Sequence, residues 1–156
     1  MPNLQFQKIP FEEKENFKTH LFQYLNELGI NDNEYTYLDT YWSDKNRSPL
    51  YFYFEKRKIG FALINDYCLN QTDEPARSIA EFFIFENERR NHFGKKIAFQ
   101  IFDHFGGNWE IRTMKNNKKS ELFWKNTISE YTPFYSKKSN HPEWEGLIFT
   151  FNSKSK

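Results

Sequence analysis

The chain has 156 residues, 22 basic against 21 acidic side chains for a net charge of +1, and an aromatic content of 20 % that includes 18 Phe. That length makes one domain, 1–156, able to bury a core without disulfide or metal staples, and the even charge gives no global field to recruit nucleic acid or an anionic membrane. Cys68 is the only cysteine, so no disulfide can form within the chain, and no Cys/His cluster has zinc spacing.

The start, Met1-Pro2-Asn3-Leu4-Gln5, has neither the basic nor the apolar segment of a secretory signal. No apolar run approaches the roughly 18 residues of a membrane span. With a lone thiol, these features predict a soluble cytoplasmic protein that uses no metal. Many aromatics beside few aliphatics predict a Phe-built core, an aromatic ligand pocket being the other reading.

In chain order, Leu4 and Phe6 alternate with Gln5 and Gln7 as a first strand. Pro10 opens a helix with Glu12, Glu13 and Glu15 in its first turns, where acidic groups complement the dipole. Phe17, Leu21, Leu25 and Leu28 form its apolar stripe, and Gly29 ends it. A second helix is predicted over 33–42. Leu50 to Phe54 reads as a strand, Glu55-Lys56-Arg57-Lys58 as a turn, and Ile59 to Leu69 as the returning strand. Ser78 to Phe85 is a buried strand carrying one carboxylate, Glu81. A helix follows from Gly94 on the face Ile97, Ala98, Ile101, Phe102, Phe105, and Gly106-Gly107 stops it. Trp109 to Met114 alternates as a strand, Asn117 caps a helix over 118–130, and Phe134 to Lys138 with Trp144 to Phe151 make a last antiparallel pair before a polar tail, 152–156. The order β-α-α-β-β-β-α-β-α-β-β is that of an α/β (mixed α+β) domain with one parallel crossover in the middle.

The chemistry concentrates in the unit strand 78–85, basic loop 89–93, helix from Gly94. A strand feeding a helix through a tight loop leaves backbone N–H groups open at the helix N-terminus, an anion site. Arg89, Arg90, Lys95 and Lys96 surround that end, and cations there oppose the dipole unless an anion joins them. A phosphate ligand and a merely solvated basic face are the two readings. The segment Arg89-Arg90-Asn91-His92-Phe93-Gly94 resembles the pyrophosphate loop of the GNAT N-acetyltransferases, Arg/Gln-x-x-Gly-x-Gly/Ala, with His92 at the first Gly position. Asn117-x-x-Ser120-x-x-Phe123-Trp124 resembles that family's Asn-x-x-Ala-x-x-Phe-Tyr after its fifth strand, with Trp124 at the Tyr. The order of elements is similar along nearly the whole chain.

The resemblance implies a GNAT fold: a mixed sheet of six to seven strands, about four helices, and a split between the fourth and fifth strands. It implies acetyl-CoA as acyl donor and an amine-bearing acceptor as partners, without nucleic acid or membrane, and it allows a homodimer. Backbone groups of Phe83, Ile84 and Phe85 would pair with the pantetheine arm as an added strand does. Arg89, Arg90, Asn91, His92, Phe93, Gly94 and Lys95 would hold the pyrophosphate, with Asn117 and Trp124 completing the cofactor side. The Ile84 N–H would face the developing oxyanion. His92 either faces solvent or touches a phosphate, and its replacement of Gly makes a positive φ costly.

Direct attack needs a free amine, so a base must take the ammonium proton. Glu81 is the candidate, with burial raising its pKa; the other reading pairs it with a basic group on a neighbouring strand, such as Arg112. Trp124 supplies no acid for the leaving thiolate, a thiol of pKa about 8.5 leaves tolerably without one, and Tyr131 and Tyr135 are alternative acids. Tyr35, Tyr37, Tyr41 and Trp42, with Asp32, Glu34, Asp39 and Asp44, suit the rim of a cationic-amine site, or else are core aromatics and solvated acids. A catalytically weak or inactive GNAT module that senses acyl-CoA or scaffolds a partner is the competing class.

Overall fold

The computed structural model describes residues 3–30, 34–71 and 73–155; Met1, Pro2, Asp32, Asn33 and Lys156, named above, lie outside them. Seven strands form one sheet: β1 (Leu4–Lys8), β2 (Ser48–Phe54), β3 (Arg57–Asn65), β4 (Ala76–Ile84), β5 (Asn108–Thr113), β6 (Tyr135–Lys138) and β7 (Leu147–Asn152). Their spatial order is β1-β2-β3-β4-β5-β7-β6. Only β4 and β5 run parallel, joined by the crossover helix α3 (Phe93–Phe105). The other helices are α1 (Lys14–Glu27), α2 (Thr40–Ser43) and α4 (Lys118–Tyr131).

The sheet divides the core into two layers. On one face α3 and α4 bury Ile97, Ile101, Phe102, Trp124 and Ile128 against Phe52, Ile79, Trp109 and Phe149. On the other, α1 and α2 bury Phe17, Leu21, Leu25 and Tyr41 against Tyr51, Phe61, Leu63 and Phe83. Aromatic rings fill space that aliphatics usually fill. Phe102 meets Trp109, Tyr131 and Phe151 edge-on at 5.2, 5.0 and 4.8 Å, a favoured arrangement of their quadrupoles.

Element ends follow the expected signals. Gly29 has φ +80°, its N–H bonds to Asn26 O at 3.0 Å, and Ile30 N–H bonds to Leu25 O at 2.8 Å. That is a Schellman closure of α1. Asn117 Oδ1 accepts from Ser120 N at 3.1 Å and caps α4.

Several boundaries differ from expectation: β3 ends at Asn65, four residues before Leu69, and β7 begins at Leu147 rather than Trp144. Within 33–42 only Thr40–Ser43 is α-helical. Leu38, Thr40, Tyr41 and Trp42 donate to the carbonyls three residues back, because Tyr35, Leu38 and Tyr41 must all reach inward at spacing three. The turn between β2 and β3 is shorter than expected, with Arg57 and Lys58 already in β3. The polar tail is tied down: Ser153 is buried and its N–H donates to Gly107 O at 2.9 Å. Among the described residues no helix is long and apolar enough to cross a membrane.

Candidate functional site

β4 and β5 are paired only over Ala76–Ser78 and Asn108–Glu110. Beyond these the strands part, and among the described residues Ile79–Ile84 keeps β3 on one side with no strand on the other. A bulge falls at Ala80, since Ile64 faces Ile79 while Leu63 faces Glu81. It reverses the side-chain alternation. Ile79 joins the α3/α4 layer, whereas Phe83 and Ala80 belong to the α1 layer.

A cleft of about 910 Å³ occupies the split, within the size range of cofactor sites. Of the residues singled out from sequence, Phe83, Ile84, Arg89, Arg90, His92, Phe93, Gly94, Lys95, Asn117 and Trp124 line it. Phe85 and Asn91 do not. The Phe85 ring stacks on His20 at 5.0 Å on the α1 face, and its N–H is committed to Ile59 O at 2.9 Å. Asn91 turns into its own loop, Nδ2 donating to Glu88 O at 3.2 Å. Because Phe85 bonds to β3, the alternation of an antiparallel ladder turns the N–H and C=O of Ile84 toward the split.

The loop between β4 and α3 is anchored by buried Glu88, which accepts from Arg57 Nε at 2.7 Å and Nη2 at 3.0 Å. It then takes two left-handed residues, Arg90 at φ 73° and His92 at φ 60°. His92 is the cap of α3, so a side-chain residue does adopt the conformation a glycine would take freely. The first helical bond at this end is Lys96 N to His92 O, which leaves the N–H groups of Phe93, Gly94 and Lys95 without a helical acceptor. Gly94 serves a close approach: a Cβ there would lie 3.0 Å from the Phe123 ring.

The four cations are not equivalent. Arg89 donates Nε to Ile84 O at 2.8 Å and Nη2 to Glu27 at 3.0 Å, and lies over the Phe83 ring. Lys95 pairs with Glu130 at 2.9 Å. Arg90 and Lys96 are exposed and have no ion pair among the described residues.

Glu81 lies in a second cavity of about 190 Å³, which shares Leu28, Phe82, Asn117, Ser120 and Trp124 with the large cleft. The Tyr35 hydroxyl donates to Glu81 Oε2 at 2.6 Å, and the Tyr24 hydroxyl faces the same carboxylate. Burial pushes the Glu81 pKa up and the two hydroxyls pull it part of the way back. Burial and the same carboxylate raise both tyrosines far above the ordinary phenol value. Arg112 is not the partner of Glu81: it pairs with Glu110, a fully buried carboxylate that also accepts from the N–H groups of Leu69, Asn70 and Gln71 at 2.7–2.8 Å.

Of the aromatic rim, only Tyr35 reaches Glu81. Tyr41 accepts from Asn65 at 3.1 Å in the core, Trp42 donates to Ile9 O at 2.8 Å, and Tyr37 is exposed. Asp39 pairs with Lys14 and Asp44 with Arg47. Tyr131 donates to Asp103 at 2.6 Å, and Tyr135 packs on Phe149; neither lines a cavity of the split. Trp124 lines both cavities and packs on Phe82 at 5.0 Å. Tyr24 was missed in sequence. Its signal was a hydroxyl-bearing ring three residues after Leu21, on the buried stripe of α1. Among the described residues no group of His, Cys, Asp or Glu is placed to hold a metal ion.

The fold has close counterparts among solved structures. An aminoglycoside acetyltransferase in complex with coenzyme A superposes with a TM-score of 0.74 at 9 % identity, over 97 % of this chain and 95 % of that one. A GNAT-family acetyltransferase from Staphylococcus aureus Mu50 gives 0.70 at 11 % identity, over 96 % and 99 %. A chimera of the spermidine N-acetyltransferase SpeG from Vibrio cholerae with hSSAT gives 0.69 at 8 % identity, over 97 % and 96 %. The chain therefore has the GNAT acetyltransferase fold, with a seven-stranded mixed sheet parted after its fourth strand. No protein-family model matches it, and no curated protein is similar to it in sequence.

Proposed function

We propose that this protein is an N-acetyltransferase that moves an acetyl group from acetyl-CoA to a primary amine by direct attack. The observation that carries this reading is that two cavities adjoin at the split and share five lining residues: the larger reaches the N-terminus of α3 and the smaller holds Glu81. The residues present fit the donor. An unpaired β4 edge matches an amide-bearing arm, and the α3 N-terminus with exposed Arg90 and His92 matches a pyrophosphate. When bound, acetyl-CoA supplies an acyl group activated as a thioester.

The chain's own groups then act as follows. The N–H groups of Phe93, Gly94 and Lys95, with Arg90, hold the phosphates. Arg89 gives up Ile84 O to free the strand edge. The Ile84 N–H faces the carbonyl oxygen where charge develops. Glu81, kept above the usual carboxylate range by burial, takes the ammonium proton of the acceptor. One N–C bond forms, one C–S bond breaks, and the electron pair leaves with sulfur.

Trp124 at the position of an acidic hydroxyl favours a second reading, a module that binds acyl-CoA without turnover. Calorimetry with CoA, together with a thiol-release screen over amino acids, polyamines, aminoglycosides and peptides, separates the two. Binding with turnover supports the enzyme, binding without turnover supports the sensor, and no binding overturns both.

A further inference from the structure

The smaller cavity has opposite charges on its two walls. Glu81 is the only acid and Arg112 the only base among the described residues that line it. Arg112 is held firmly. Its Nη1 pairs with Glu110 and donates to Tyr67 O at 3.2 Å, and its guanidinium lies 5.5 Å from the Tyr67 ring and 5.6 Å from the Trp144 ring. Trp144 is fixed in turn, Nε1 donating to Thr113 O at 3.0 Å.

The side chain is only 12 % exposed, yet Nε and Nη2 have no partner among the described residues. That edge of a guanidinium carries two parallel N–H donors, the fork that accepts one carboxylate side-on. Both nitrogens stay within reach of water, as neither is a fully buried orphan, and a carboxylate entering the cavity would replace that water with a charge-assisted pair. Glu110 cannot answer them as well, being already engaged with three backbone N–H groups.

Resting on the N-acetyltransferase reading, we propose that the acceptor is an amino acid or a similarly short zwitterion, its amine presented to Glu81 and its carboxylate held by the Nε–Nη2 edge of Arg112. A cavity of about 190 Å³ is smaller than the roughly 300–1,000 Å³ of drug-sized sites, which suits a small acceptor. A single carboxylate does not neutralise a polycation. The transfer forms the N–C bond and breaks C–S, the electron pair leaves with sulfur, the ammonium proton passes to Glu81, and the acceptor's carboxylate is unchanged.

The test compares thiol release by the wild-type protein with leucine against isopentylamine and phenylalanine against phenethylamine, with spermidine as a further arm. The amino acids should have kcat/KM at least about tenfold above their decarboxylated partners, through KM, as the loss of a charged hydrogen-bonded pair implies. Arg112→Gln should bring that ratio close to one, a readout internal to each preparation. Equal or faster turnover of the decarboxylated amines or of spermidine by the wild type overturns the zwitterion and leaves the N-acetyltransferase reading standing. A calorimetric titration showing no CoA binding overturns the reading beneath it.

Discussion

The Tyr35 hydroxyl and Glu81 Oε2 stand 2.6 Å apart, which ties the turn before α2 to the bulged strand at the split. The carboxylate thus has neutral phenols for partners where a cation would have held it ionised at low pH. Glu81→Gln should lower kcat on the order of 100-fold or more near neutral pH, while CoA affinity measured by calorimetry stays within about twofold. Unchanged kcat would remove Glu81 as the base. Stability should respond in the opposite sense. A carboxyl raised on folding binds its proton more tightly in the native state, so stability falls as pH rises from the usual carboxylate range through the raised value. Denaturation against pH should show that fall in the wild type and less of it in Glu81→Gln.

Tyr35→Phe removes a hydrogen bond that lowers the Glu81 pKa, so the acidic limb of the kcat/KM–pH profile should move to higher pH. The base must be ionised to act, and its ionised form has lost a donor. A limb that moves down or stays in place would show that this hydroxyl does not tune the base.

Gly94 packs where a Cβ would sit 3.0 Å from Phe123. Gly94→Asp brings both that bulk and a negative charge to the N–H groups proposed to hold the pyrophosphate, and on that proposal CoA affinity should fall at least about tenfold. Retained affinity would place the phosphates elsewhere.

The sequence carried the order of elements because each has a local signature, such as the stripe of α1 with Gly29 or the cap at Asn117. The strand-loop-helix geometry around 89–94 was readable for the same reason, lying within one local unit. The partners of Glu81 were not, since Tyr24, Tyr35 and Glu81 meet only when α1 and the turn before α2 dock on β4. Arg112 is the partner in the alternative reading of Glu81; it shares the cavity with Glu81 but pairs with Glu110, and the three N–H groups of residues 69–71 that also hold Glu110 have no mark in the pattern. The bulge at Ala80 also escaped, being a property of pairing between β3 and β4.

Glu110→Ala should destabilise the protein by about 3–5 kcal/mol, the usual cost of stripping one partner from a buried ion pair, as three backbone N–H groups lose their acceptor too. Chemical denaturation checks this; a loss below about 1 kcal/mol would mean that the 66–71 loop finds other acceptors.

Gly146 admits no side chain, because a Cβ would fall 1.7 Å from Thr113 O, the carbonyl that holds Trp144. Gly146→Ala should therefore cost on the order of 2 kcal/mol of stability and raise the acceptor KM more than it lowers CoA affinity. Equal effects on both would detach Trp144 from the acceptor side.

The short ladder between β4 and β5 has a consequence for how the molecule holds together. Among the described residues three residue pairs stitch the β1–β4 half of the sheet to the β5–β7–β6 half, with α3 and α4 packed behind the join. A ligand arm hydrogen-bonded along Ile79–Ile84 would act as the missing rungs. Part of the cohesion of this fold would then be supplied from outside the chain, and amides lining the gap would gain protection from hydrogen exchange in step with ligand concentration.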